Sequence, residues 1–181
     1  MNDADQKLMV VDADAEAWRD LRWRVDVSIR YHSRRASFFG DLHRTTAFIG
    51  VMSGTAIVGS LSDIIPEWVA VAAATFITVM SAIDMVIGYS AMEQKHIELR
   101  NAFIRASRRI GADRSMAAYE SIRSEMLTAE ESEPPTYQAL QLAAYNEVVM
   151  AQYPREKWAD RLQHLHWFKR ITGQLLRWDG I

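Results

Sequence analysis

The side chains in this sequence with the means to do chemistry are five histidines, a set of arginines and one acid inside an apolar run; there is no cysteine. Without cysteine, disulfides, thiolate metal sites and cysteine nucleophiles are excluded. Glu93 and His96 form a single Glu-x-x-His pair at helical spacing. Di-iron bundles are built from two such pairs plus further inward carboxylates, so one pair is too few. His164 and His166 sit two apart, and on a helix such neighbours point to diverging faces. No histidine stands with a serine and a third partner in a nucleophilic arrangement. Phosphate-binding glycine loops, dinucleotide fingerprints, H-E-x-x-H and G-x-S-x-G are all missing. The expectation is a protein with no catalytic residue, no cofactor and no metal, and so not an enzyme.

What remains is Asp84, which is singular because of its surroundings. Residues 45–62 carry no charge, and residues 68–92 carry none except Asp84. At 1.5 Å per residue, an apolar helix of about 20 residues covers the ~30 Å hydrocarbon core of a bilayer. The sequence therefore predicts a two-helix transmembrane hairpin over 45–92, with spans 45–62 and 68–92 and an external turn at 63–67. Pro66 in that turn suits the first position of the second helix. Arg30, Arg34, Arg35 and Arg44 precede the first span, and Lys95, Arg100, Arg105, Arg108 and Arg109 follow the second, whereas the turn holds only Asp63 and Glu67. The positive-inside rule then puts both termini in the cytoplasm. The acidic N-terminus lacks the basic and apolar regions of a signal peptide, so the first span is expected to serve as its own insertion signal.

Two features within the hairpin have two readings each. Gly50 and Gly54 make a G-x-x-x-G pair, extended by Ser53, Ala56, Gly59 and Ser60. Such small surfaces permit close helix approach in lipid, and Gly is also simply frequent in membrane helices. Asp84 is an intramembrane acid if the span runs to Met92, and then a functional candidate. If the span is 64–83, Asp84 lies at the interface and is ordinary. Trp68 and Tyr89 fit the aromatic belts.

The flanks are expected to be helical. The chain of 181 residues is 49% hydrophobic and 24% charged with a net charge of −2, which argues against disorder and against general nucleic-acid binding. Residues 1–12 show no period and are expected to be flexible. From 13 to 44, Trp18, Leu21, Val25, Ile29, His32, Ala36 and Phe39 recur at spacings of three and four. With no Pro and only Gly40, this cytoplasmic helix is expected to enter the first span unbroken. After the hairpin, residues 93–181 form a cytoplasmic helical region. His96, Leu99, Phe103 and Ile110 make one stripe, Gly111-Ala112-Asp113 a break, and Met116, Tyr119, Ile122 and Met126 a second stripe. Residues 130–135 end that helix, and another runs from Pro134 to Gln152. The last stretch, 155–178, reads as one amphipathic helix carrying six basic and two acidic residues. Such a helix suits a membrane surface. The preferred expectation is that it closes the cytoplasmic bundle, its basic side toward anionic headgroups. The fold class expected is thus an all-α membrane protein.

Several strings resemble the SLATT family of bacterial two-transmembrane-helix effectors, associated with nucleotide-sensing conflict systems. They are Arg30-Tyr31-His32-Ser33-Arg34-Arg35-Ala36-Ser37-Phe38-Phe39, then Ser81-Ala82-Ile83-Asp84, then Glu133-Pro134-Pro135-Thr136-Tyr137 with Tyr145-Asn146-Glu147. The resemblance covers residues 25–170 and is carried by element order plus these short strings. It implies an inner-membrane protein that oligomerises and perforates or perturbs the membrane in anti-phage defence. Within these strings, Arg34, Arg35, Glu133, Pro134 and Pro135 are candidate regulatory or interface residues, which a partner-binding role would require intact. This chain carries no nucleotide-sensing domain, so the trigger is expected to come from a regulatory protein partner or to act directly.

The sequence thus supports two hypotheses. One is a homo-oligomeric effector in contact with membrane lipids, with Gly50, Gly54 and Gly59 as association face and Asp84 as polar site. The other is a non-pore scaffold, a hairpin anchoring cytoplasmic helices that bind a protein partner. A phage holin is a weaker third reading, because holins rarely devote so much chain to cytoplasmic helices.

Overall fold

In the computed structural model, residues 3–61 and 66–178 are described, and every regular element among them is helical. Helix α1 runs from Asp3 to Leu61, α2 from Glu67 to Ile87, α3 from Tyr89 to Ala112, α4 from Met116 to Glu131 and α5 from Gln138 to Gln152. Most of the expected external turn, 63–65, lies outside the described residues, as does residue 62 of the expected first span. The expected unbroken passage of the first helix through Gly40 is found. Its start differs: α1 begins at Asp3, ten residues before the expected start at 13.

The chain divides into two compact units, Met1–Arg34 with Ile97–Ile181, and Arg35–His96. The first is a conventional helical core. Trp18, Leu21 and Val25 of α1, Phe103, Ala106 and Ile110 of α3, and Ile122 and Met126 of α4 pack as one buried cluster. On α1 and α3 these positions follow spacings of three and four, which put them on one helix face. Trp18 meets Tyr119 edge-on at 5.3 Å between ring centroids. A smaller cluster joins Tyr31 to Leu140 and Ala144 of α5.

The breaks have local causes. Between α3 and α4 the cap is Ser115, not Asp113: its Oγ accepts from Ala118 N–H at 3.2 Å, while Asp113 accepts from Ser115 N–H at 2.8 Å. Helix α5 starts at Gln138, four residues after Pro134.

The expected single helix over 155–178 is not formed. A 3-10 turn at Arg155–Lys157 leads into α6, Trp158–Arg161, and after a non-helical stretch comes α7, Trp167–Thr172. The stretch between them is claimed by α5. Asn146 donates to the carbonyl of Gln163 at 2.8 Å and accepts from its N–H at 2.9 Å, taking both of its backbone groups away from a helix. Gly173 then sits buried where a Cβ would come 3.2 Å from that of Ala139 and 2.6 Å from the carbonyl of Lys169.

In the unit Arg35–His96, one face of α1 runs past α2 and the start of α3. A Cβ on Gly40 would collide with the Glu93 carboxylate, and one on Gly50 would lie 3.4 Å from Ile77. Phe39 meets Tyr89 and His96, and His43 meets Asp84. Ala36, Phe39, Thr46 and Ser53 on α1 are buried, as are Ala70, Tyr89 and His96 opposite. The outer faces are the reverse: Phe48, Val51, Met52 and Val58 of α1 and Trp68, Val71, Phe76, Val79, Met85 and Val86 of α2 are exposed. Among the described residues, the stretch Glu67–Ala112 contains the one helix long and apolar enough to cross a membrane, by length and composition.

Candidate functional site

The start of the first string, Arg30–Arg34, comes together with the strings 133–137 and 145–147 in the first unit, whereas the string 81–84 lies in the second. His32, fully buried, shares a 2.9 Å hydrogen bond between its Nε2 and Glu133 Oε1. Its ring lies parallel to Phe103 at 5.5 Å. One residue earlier, the Tyr31 hydroxyl accepts from the backbone N–H of Tyr137 at 3.2 Å. Two residues later, Arg34 donates to Glu147 of α5. One turn of α1 therefore holds both ends of the segment 133–137, with Pro134 and Pro135 between. Prolines donate no backbone hydrogen bond and fix φ, so this connector is stiff and depends on side chains for its anchorage. Tyr145 completes the contact by meeting Trp23 edge-on at 5.1 Å.

Beside this anchorage run two adjoining clefts of about 670 and 400 Å³ that share Val27, Ser28, Glu130 and Gln141. The larger ends at Gln163 and His164, and the smaller is lined by His32, Glu133 and both prolines. Arg24 and Glu130 pair at 2.9 Å along the larger one.

In the second unit, Asp84 has a job that its sequence context did not announce. Its carboxylate accepts from the backbone N–H of Tyr89 at 3.0 Å, and its own carbonyl accepts from Gly88 N–H at 2.6 Å. Gly88 has φ 68°, a left-handed conformation that lets α2 end and α3 begin at once. The same carboxylate lies 3.8 Å from His43 Nδ1. Asp84 is thus a helix-end cap, with the His43 ring beside it. A glycine in an apolar run is ordinary, and for that reason the break at Gly88 was missed; the Asp four residues before it was the available signal.

The remaining candidates separate. Arg35 is buried with its guanidinium 4.5 Å from the Phe39 ring centre, a cation–π contact within its own turn of α1. Gly50 faces Ile77, but Gly54 has nothing within 4 Å of where its Cβ would be. The inner face of α1 is Thr46, Gly50 and Ser53, so Gly54 lies off it. Gly59 is half-buried. Glu93 and His96 both pack against α1, at Gly40 and Phe39. Arg44, just before the apolar end of α1, hydrogen-bonds Asp41 at 2.7 Å, and that bond raises its pKa above the ordinary value. No protein-family model, no curated protein and no solved structure matches this chain. The roles given to these residues therefore come from their own contacts. Among the described ones, no group of three or more His, Asp or Glu is placed to hold a metal ion.

Proposed function

We propose that the protein is a bacterial inner-membrane effector. In this reading 45–62 and 68–87 span the bilayer as a hairpin, both termini are cytoplasmic, and several copies assemble to perturb or perforate the membrane. The observation that carries it is the sorting of side chains in Arg35–His96. Small and polar groups (Thr46, Gly50, Ser53) are turned inward, and large apolar ones (Phe48, Val51, Trp68, Phe76, Val86) are turned out. A water-soluble helix pair sorts the other way. Lipid tails are as apolar as those outer side chains, and small residues allow helices to approach closely within them. The arginine asymmetry supplies the orientation, and the resemblance to SLATT proteins supplies the effector role. Gly54, open on the outer side of α1, is the point offered to another copy.

A non-pore scaffold is the second reading, and the hydroxyls favour it. Thr55, Thr75 and Thr78 each donate to the carbonyl four residues back on their own helix, at 3.1, 2.9 and 2.7 Å. Their protons are thus spent within their own helix, and only the acceptor side of each oxygen is left to face a water-filled path. The anchored connector 133–137 and its clefts would then be the working part, as a partner-binding module.

Regulated expression in bacteria separates the two. The effector reading expects loss of membrane potential and entry of an excluded dye at levels where the protein is assembled. Intact potential at those levels overturns it. If an unrelated hairpin can replace 45–87 without loss of function, the scaffold reading stands.

A further inference from the structure

The C-terminal segment carries an apolar surface that the fold leaves uncovered. Trp167, Ile171 and Leu175 recur every four residues and are 65, 68 and 65% exposed. Phe168 and Leu176 flank them, also exposed. The opposite side of the same segment is firmly docked. Gly173 is buried against Ala139 of α5, and Asn146 grips Gln163 through two hydrogen bonds. Trp178 donates to the Thr172 hydroxyl at 3.2 Å, meets Phe168 edge-on and lies under the Lys169 ammonium at 5.7 Å. The exposed side chains are therefore held out by a folded support.

The charge around them has one sign. From 161 to 178 the basic residues are Arg161, Lys169, Arg170 and Arg177, and there is no Asp or Glu. An apolar ridge led by Trp, on a segment 161–178 with four Lys and Arg and no acid, matches a surface with an apolar interior and an anionic rim. That is the boundary between headgroups and acyl chains in a bilayer containing acidic lipid. A protein partner of matching chemistry would need an apolar groove edged with carboxylates. No acidic patch among 161–178 exists to serve that role for a second copy of this segment.

We infer that 162–178 is a second membrane contact of this chain, a peripheral anchor that seats Trp167, Ile171 and Leu175 in the headgroup boundary of an anionic bilayer. The inference rests on the membrane reading above, and it adds a lipid class and a site outside the proposed spans. It also extends the expectation that 155–178 closes the cytoplasmic bundle with its basic side toward anionic headgroups.

The absence of cysteine makes the test direct, since one introduced thiol is unique. Full-length Ile171→Cys, carrying an environment-sensitive fluorophore, is reconstituted in vesicles of phosphatidylcholine with phosphatidylglycerol, or of phosphatidylcholine alone. Val51→Cys reports on the proposed span and Glu120→Cys on exposed α4. The expected result at 171 is a blue-shifted emission quenched by lipids spin-labelled near the headgroup. Both signals should be lost in neutral vesicles, at high salt, and in Lys169→Glu with Arg170→Glu, while the label at 51 stays quenched throughout. An unquenched, solvent-like label at 171 beside a quenched one at 51 overturns the anchor and leaves the spans standing. A blue shift without lipid quenching, rising with protein density, means that protein covers the ridge, and this also overturns it. If the label at 51 is solvent-like too, the membrane reading itself fails. Salt acts without any substitution, so misfolding of the charge-reversed variant does not blunt the test.

Discussion

The two compact units of this chain are built from the same element, the helix with apolar residues at spacings of three and four, and bury opposite things. In the unit containing Phe103, the large side chains of α1, α3 and α4 form the core and the arginines of those helices lie toward the outside, with the C-terminal ridge at Trp167 the exception. In the unit containing Phe76, the large side chains are outside, and the interior is made of Thr46, Gly50 and Ser53 with a few aromatic rings near Arg35. Helix α1 takes part in both, so the difference lies neither in helix propensity nor in the period. It lies in which residue types occupy the stripe. Water rewards hiding apolar area, and hydrocarbon does not.

The largest expected effect tests the first half of that contrast. Phe103→Ala empties a site that is almost completely buried, and should lower stability by about 3–5 kcal/mol in thermal unfolding of the detergent-solubilised protein. Phe76→Ala, at an exposed position, should change it by less than ~1 kcal/mol. Equal losses would break the comparison. The second half is tested by a charge: Phe76→Arg should cost about 2.5–3.5 kcal/mol of insertion and shift the protein out of the membrane fraction. Were α2 an aqueous helix, the same change would raise solubility and leave fractionation alone.

Finer predictions sharpen the account of each interior. Gly50→Leu pushes into Ile77 and should cost about 1–3 kcal/mol, whereas Gly54→Leu should spare intrachain stability and alter only self-association in detergent, read by light scattering. In the other unit, Glu133→Gln keeps an acceptor opposite His32 but loses the charge, for about 1 kcal/mol in the same thermal assay. Smallest is Arg24→Ala: its pairing with Glu130 is largely solvent-exposed, so unfolding should move by no more than ~1 kcal/mol.

The all-helical architecture was legible because it is local. The apolar residues from Trp18 to Phe39 spell a period that needs no knowledge of partners, and the break before α4 announced itself through Gly111 and Asp113 to within a few residues. What could not be read was anything decided by a residue far along the chain. Asn146 dismantles a helix seventeen positions away, and the 155–178 periodicity gave no warning of it. The strings at 30–35, 133–137 and 145–147 were each visible, but their meeting at His32, Glu133 and Glu147 is a tertiary fact. Gly50 and Gly54 looked equivalent because G-x-x-x-G spacing describes a possible face, while the direction of that face depends on where α2 lies.

The left-handed residue at Gly88 also settles a matter of phase. Ala70, Ile77 and Asp84 are seven apart, and so are Tyr89 and His96; all five lie on the side of their helix that meets α1 or is buried. The two series do not join, since seven past Asp84 is Ala91. A five-residue step in an uninterrupted helix would turn Tyr89 roughly 140° away from the line of Asp84 at ~100° per residue. Gly88 absorbs that rotation. Straightened there, the chain could offer α1 one of its two series but not both, so the register of the whole seam is counted from this single glycine.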